Sequence, residues 1–289
     1  MRALLGGLAA ALIAAPAFAD DLVIRDFVGT ITVATGPLDV EVRRDHDDLD
    51  IDTGSTLRID GGFSDPAKSG VCGSYGSWWG GRIKATDIED YAELAITVPD
   101  GASVVIENSI IRLDTRGTTL GRAEFGLRGC FDAALGDMLE AEIGKSGSGD
   151  LSAGQVGTLQ LGKSGSGDVR IADVGTLDLG KSGSGDVRVE RIGVSGKIAK
   201  SGSGRVEIGY ADGPLTLGAS GSGDIRVADG TIPRLTISAS GSGAITIDAD
   251  VEDATVSKSG SGRVKLARVS GEWEQSTSGS ARVTVGSRD

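Results

Sequence analysis

The chain has 289 residues, 47 of them glycine and only 4% aromatic, and its 41 acidic residues outnumber 29 Lys and Arg for a formal net charge of −12. That balance excludes nucleic acid as a partner, because the phosphate backbone demands a concentrated positive surface, and it disfavours electrostatic adhesion to anionic lipid. So little aromatic bulk also excludes a wide conventional core and leaves a thin, repetitive fold.

At the start of the chain, Arg2 precedes an apolar run over residues 3–15, followed by Ala17, Phe18 and Ala19. Charge, apolar core and small-residue cleavage site together predict a secretory signal peptide over 1–19. The run is shorter than the roughly 20 residues of a membrane helix. No later stretch approaches that length, so no transmembrane segment is expected in the mature chain. No cysteine follows the cleavage site to accept a lipid anchor. An extracytoplasmic location follows, periplasmic or secreted to the cell surface.

Residues 20–140 read as an irregular N-terminal β region. Strand-like alternation occurs at 22–24, 29–33, 38–42, 57–59, 95–98 and 103–106, either as the first, uneven turns of a solenoid or as a separate small β-domain. Between them lies Asp45-His46-Asp47-Asp48, holding the single histidine. Its carboxylates could hold a cation loosely, but aspartate clusters are ordinary turn material, and a solvated turn between two strands is the expectation.

The glycine- and serine-rich stretch 61–81 contains Cys72, Tyr75, Trp78 and Trp79 and reads as a long loop. In an oxidising compartment Cys72 and Cys130, the two cysteines of the sequence, are expected to form a disulfide, the alternative being two buried thiols. Tyr75, Trp78 and Trp79 form a candidate binding loop, able to stack on sugar rings or a partner surface. Covering one end of the fold would explain them as well.

From Lys145 the chain repeats a unit whose clearest form is KSGSGDVRV, with Ser-Gly-Ser beginning at Ser146, Ser164, Ser182, Ser201, Ser220, Ser240, Ser259 and Ser278. Spacings of 18 to 20 residues over eight copies identify a solenoid in which each unit buries its apolar edge against its neighbours. Val169 and Ile171 alternate with Asp168 and Arg170, as Leu177 and Leu179 do with Asp178, the period of half-buried strands. Gly162, Gly180 and the Ser-Gly-Ser-Gly segments are assigned to corners between two or three short strands. The fold class is therefore all-β: a parallel β-solenoid of about eight regular coils over 141–289, following the irregular region. In the last unit Trp273 and Gln275 replace the leucine pair, flanked by Glu272 and Glu274, which predicts a polar C-terminal cap.

Two columns of the repeat invite chemistry. Asp150, Asp168, Asp186 and Asp224 form a ladder that resembles stacked calcium-binding turns, but Arg205 interrupts it and the glycine spacing departs from that motif. Cross-coil Asp–Arg pairing on an exposed face is the preferred explanation, and no metal or other cofactor is assigned. The serine columns either hydrogen-bond internally at a crowded corner or face solvent as a hydroxyl lattice of the kind ice-binding solenoids present. Catalytic residues are assigned to none of these features, because no nucleophile, base and orienting group can be assembled from them.

The exported N-terminus, the run DLVIRDFVGTITVATGPLDVEV, the segment AITVPDGASVVIE and the SGSGD coils together resemble the bacterial head GIN domain family of auto-transporter adhesins. The resemblance implies a β-solenoid, an extracytoplasmic location and an adhesin-like role, and it transfers no functional residues. The function expected is a non-enzymatic envelope or surface protein, a structural or binding module whose partner is an envelope polysaccharide or a protein surface. A β-helical polysaccharide-processing enzyme and an ice- or mineral-binding solenoid are the alternatives.

Overall fold

The computed structural model describes residues 21–69, 71–72 and 88–288. The signal peptide predicted over 1–19 and the aromatic candidates Tyr75, Trp78 and Trp79 lie outside the described residues.

Strands account for most of the described chain. In order they are β1 (Leu22–Arg25), β2 (Val28–Thr35), β3 (Asp39–Arg44), β4 (Asp50–Thr53), β5 (Leu57–Asp60), β6 (Ala92–Val98) and β7 (Ser103–Asp114). Next come β8 (Thr119–Gly129), β9 (Asp132–Leu135), β10 (Asp137–Gly147), β11 (Asp150–Gly165), β12 (Val169–Lys181) and β13 (Val187–Lys200). The last coils contain β14 (Val206–Asp212), β15 (Leu215–Ala219), β16 (Ile225–Val227), β17 (Gly230–Ala239), β18 (Ile245–Lys258), β19 (Arg263–Val269), β20 (Trp273–Thr277) and β21 (Arg282–Arg288). All belong to one sheet wound into a parallel β-solenoid of about ten turns. At about 4.8 Å per turn the rod is roughly 45 Å long.

The period-2 pattern is kept along whole strands: in β11 and β12 alternate side chains are buried, and stacked neighbours repeat the choice. Leu159 lies on Leu177, and Val169 on Val187. One apolar core, built from β-branched and leucine side chains, runs from Leu22 to Val269 without a break. Where the spacing lengthens from 18 to 19 residues, the extra residue is extruded: the register of β12 against β13 shifts between Val174 and Thr176, and Val194 is left 61% exposed. The surplus is absorbed as a bulge, so the core columns stay aligned.

The turn count exceeds the eight expected, because pairing begins before the serine motif does. β8 carries no Ser-Gly-Ser, yet Leu120, Ala123 and Phe125 stack on Met138, Ala141 and Ile143 of β10. The ladder passes residue 140 without interruption.

Stacking order departs from chain order at the N-terminal end. β1 and β2 are inserted between β7 on one side and β5 with β6 on the other, all in parallel register. β3 then pairs antiparallel with β6, and β4 antiparallel with β5. Both outer strands are mostly exposed and rich in Asp, Glu and Arg, a charged edge that resists pairing with another molecule. The Asp45–Asp48 stretch is the turn between β3 and β4, with His46 packed against Phe63 and Tyr91 at ring distances of 5.1 and 5.5 Å. Cys72 and Cys130 form the expected disulfide, with Cα atoms 5.1 Å apart, which pins the chain after Ser69 to the corner between β8 and β9.

At the other end Trp273, Val283 and Val285 are partly buried against the core, while Glu272, Glu274 and Gln275 are exposed.

Candidate functional site

The Lys-Ser-Gly-Ser-Gly-Asp corner and the strand leading into it are built from stacked columns, and each column has its own chemistry. Alternation carries the leucine phase one step further, to the lysine: Leu159, Leu161 and Lys163 all point inward, as do Leu177, Leu179 and Lys181. Lys145, Lys163, Lys181 and Lys200 therefore stack directly on one another at 2–3% exposure, Ala219 and Ala239 follow, and Lys258 resumes the column.

Glycine carbonyls solvate these buried ammonium groups. Lys181 Nζ donates to Gly183 O at 3.4 Å, Lys200 Nζ to Gly202 O at 3.2 Å, and Lys258 Nζ to Gly241 O and Ser259 O at 2.8 Å each. Lys145 Nζ makes no hydrogen bond among the described residues and lies 5.1 Å from the centre of the Phe131 ring, a cation–π contact. Burial pushes the Lys145 and Lys181 ammonium groups down to about 8, neighbouring lysines add to the depression, and aspartates of the ladder oppose it. Lys163, Lys200 and Lys258 are also lowered, chiefly by burial.

The aspartate ladder has a backbone function. Asp150 Oδ1 accepts from the Asp168 amide at 2.7 Å, Asp168 Oδ1 from Asp186 at 2.9 Å, and Asp186 Oδ1 from Arg205 at 2.7 Å. Asp224 Oδ1 takes the Ala244 amide at 2.8 Å. Arg205 thus meets Asp186 through its main chain, where guanidinium pairing was expected. Each aspartate ties its coil to the next and lies near the lysine column. Asp168→Ala is expected to cost about 1 kcal/mol, while Asp168→Asn, which keeps an accepting oxygen, retains most of it. Urea midpoints of the three proteins decide the matter: an equal loss in both variants would show that charge, rather than the acceptor, matters.

The second glycine of each corner is enforced by contact. A Cβ at Gly204 would lie 2.5 Å from Lys181 Nζ and from Ser184 O, and one at Gly223 would meet Lys200 Nζ and Ser203 O equally closely. Gly162 and Gly180 are different, and the assignment of both to corners is corrected here: they sit inside β11 and β12. A Cβ on Gly180 would meet nothing within 4 Å, and one on Gly162 only Ile143 O at 4.0 Å. No steric demand of the fold keeps them glycine.

On the outer surface this column runs Gly126, Gly144, Gly162, Gly180, Ala199, Gly218, Ser238 and Ser257. A row of serines from Ser146 to Ser259 flanks it, exposed to solvent apart from the half-exposed Ser259. Glu142, Gln160, Asp178, Lys197, Thr216, Thr236 and Thr255 flank the other side. The result is an open trough along the rod, about 640 Å³ over the lysine-bearing coils and about 430 Å³ beyond Ala199. Glycine inside a strand marks a place where another molecule can approach the backbone closely.

Among the described residues no group of three or more His, Cys, Asp or Glu is arranged to hold a metal ion, and no helix is long and apolar enough to cross a membrane.

No curated protein and no solved structure matches the chain. Residues 190–288 match the family model described as "Putative auto-transporter adhesin, head GIN domain". The match covers the coils from the end of the buried-lysine run to the last strand, and together with the disulfide it points to an extracytoplasmic setting. Over residues 190–288 the β-solenoid is thus similar to the head GIN domain family of auto-transporter adhesins.

Proposed function

We propose that this chain is a non-enzymatic attachment module of the cell envelope, exported by its signal peptide, whose rod lays one uniform face against an envelope polysaccharide. The observation that carries the reading is the trough: hydroxyls and bare backbone presented in register, coil after coil, where the fold itself does not require glycine. Such a surface suits an extended polymer, because every coil repeats the contact and weak contacts add.

The test is binding of the mature protein to an array of envelope polysaccharides, beside Gly162→Thr/Gly180→Thr, which fills the trough with strand-compatible side chains. Selective binding by the parent and its loss in a variant of unchanged circular dichroism is the expected result. Unchanged binding by the filled variant, or none by the parent, would sink the reading. Loss only on changing Tyr75, Trp78 and Trp79 to alanine would move attachment to that loop.

A second reading, adhesion to an ordered solid such as ice or mineral, is favoured by the later coils, where Thr236 and Ser238 stack on Thr255 and Ser257. Thermal hysteresis of the purified protein separates it from polysaccharide binding.

A further inference from the structure

We propose that Arg263, Lys265 and Arg282, on the last two coils, form a binding site for the acidic groups of a charged polysaccharide. The inference rests on the attachment reading and adds to it the class of ligand and a second, separate contact.

Cations elsewhere on the regular coils are mostly spoken for. Arg170 pairs with Asp168, Arg188 with Glu190 and Glu207, Arg191 with Asp212, Lys197 with Asp178 and Arg226 with Asp248, while the corner lysines are buried. Arg205 is bracketed in its column by Asp186 and Asp224.

Arg263, Lys265 and Arg282 depart from this. All are exposed, and none has a side-chain ion pair or hydrogen bond among the described residues. Arg263 and Arg282 are register partners on adjacent strands, about 4.8 Å apart at the backbone. Lys265 lies two residues along from Arg263 on the same outer face of β19. The next coil inward offers Ala244 and Thr246 in the two columns, so no carboxylate answers them there. Asp248 is held by Arg226 at 2.9 Å, and Asp224 Oδ1 is occupied by the Ala244 amide.

The arrangement works against the fold. Like charges on directly paired positions repel. An arginine at 263 also forfeits the cross-coil acceptor that aspartate supplies at the same position in Asp150, Asp168, Asp186 and Asp224. What it provides is two guanidinium forks and an ammonium on one small surface, with the exposed hydroxyls of Ser261 and Ser280 beside them at the corners. Planar forks suit carboxylate and sulfate oxygens.

Charge complementarity selects the partner's form. With a net charge of −12, the rest of the surface repels a broad anionic sheet such as a membrane. A narrow polymer can deliver its acidic groups to the patch without confronting the aspartates elsewhere.

The experiment measures binding of the full mature protein to immobilised dextran sulfate, alginate and neutral dextran, with phosphatidylglycerol vesicles as a separate arm. Arg263→Asp restores the residue other coils carry and is expected to keep the fold. Arg263→Asp/Arg282→Ala should bind the acidic polymers at least about tenfold more weakly, with an affinity that falls as salt rises, whereas Arg170→Ala should bind as the parent does. Equal binding by parent and double variant, or failure of the parent to prefer acidic over neutral dextran, overturns the proposal. Tighter binding to vesicles than to either polymer overturns its assignment to polysaccharide. Neutral-glycan binding that depends on Gly162 and Gly180 would survive either failure, so the two readings are separable.

Discussion

Gly167→Ala is expected to lower the unfolding midpoint sharply, by roughly 3 kcal/mol, the upper range for forcing atoms into a packed site. Gly180→Ala should leave it level or raise it by up to about 1 kcal/mol. The two glycines belong to the same repeat and differ in what lies next to them. A Cβ on Gly167 would fall well inside contact distance of Gly149 O and 2.5 Å from Ser148 O, both backbone atoms of the coil beneath. Relief would require separating coils along the hydrogen-bonded direction, which stretches every ladder bond in that rung. Gly180 faces open space in an ordinary strand conformation, so alanine there only removes freedom from the unfolded chain. Denaturant titrations of both variants check the contrast. If Gly180→Ala cost as much as Gly167→Ala, the trough glycines would be structural and the surface argument built on them would fail.

The second large effect is a pH profile opposite to that of a typical acidic protein. Lys145 and Lys181 titrate near 8 in the folded chain, against about 10.4 when unfolded. Below pH 8 both states carry the charge, and the folded rod bears the full cost of burying it. Between about 8 and 10.5 the folded state releases its protons first, so the unfolded state binds more and stability rises with pH. At about 1.4 kcal/mol for each pH unit of displacement the two lysines would together gain up to about 6 kcal/mol, which solvent in the open trough reduces to a few kcal/mol. Growing negative charge on the rest of the surface opposes it, and Lys145→Met/Lys163→Met/Lys181→Met supplies the reference. Methionine keeps the aliphatic stem, and Ala219 and Ala239 show the column accepting uncharged residues. The triple variant should be the more stable protein at pH 7, with the difference narrowing toward pH 10. A difference that stays constant across that range would mean the lysines remain protonated in the fold.

The repeat, its strands and its parallel stacking were legible in the sequence because a solenoid writes its register into the spacing of identical corners. The disulfide was legible because two cysteines in a chain expected to be exported leave few choices. Other features were not. The turn count fell short because β8 stacks through Leu120, Ala123 and Phe125 without the serine motif, and side-chain parity alone is a weaker signal than a repeated word. The order of β1, β2, β5 and β6 was illegible, since nothing local in those strands says which neighbour each will take.

The buried lysines are the instructive case. A lysine beside Ser-Gly-Ser-Gly looks like a corner residue, yet its phase with Leu159 and Leu161, and its replacement by Ala219 and Ala239, both signalled an inward position. The same parity would have placed Gly162 and Gly180 outside, on a strand. The basic patch was hidden because Asp–Arg pairing was taken to explain the whole column of Asp150, Asp168, Asp186 and Asp224, and Arg263 and Arg282 occupy its last two positions. Only the coil-by-coil register shows that no acid stands beside them on the neighbouring coil.

The single core shared by every coil also determines how the rod would respond to tension. Each coil touches only those before and after it, so a pull on the C-terminal end loads one rung at a time. Coils would peel in sequence, each releasing roughly 60 Å of extended chain while those behind it stay wound. The Cys72–Cys130 bond bars that route at the opposite end, where loop 72–130 is covalently closed. Under load such a rod lengthens in steps from one end and remains anchored at the other.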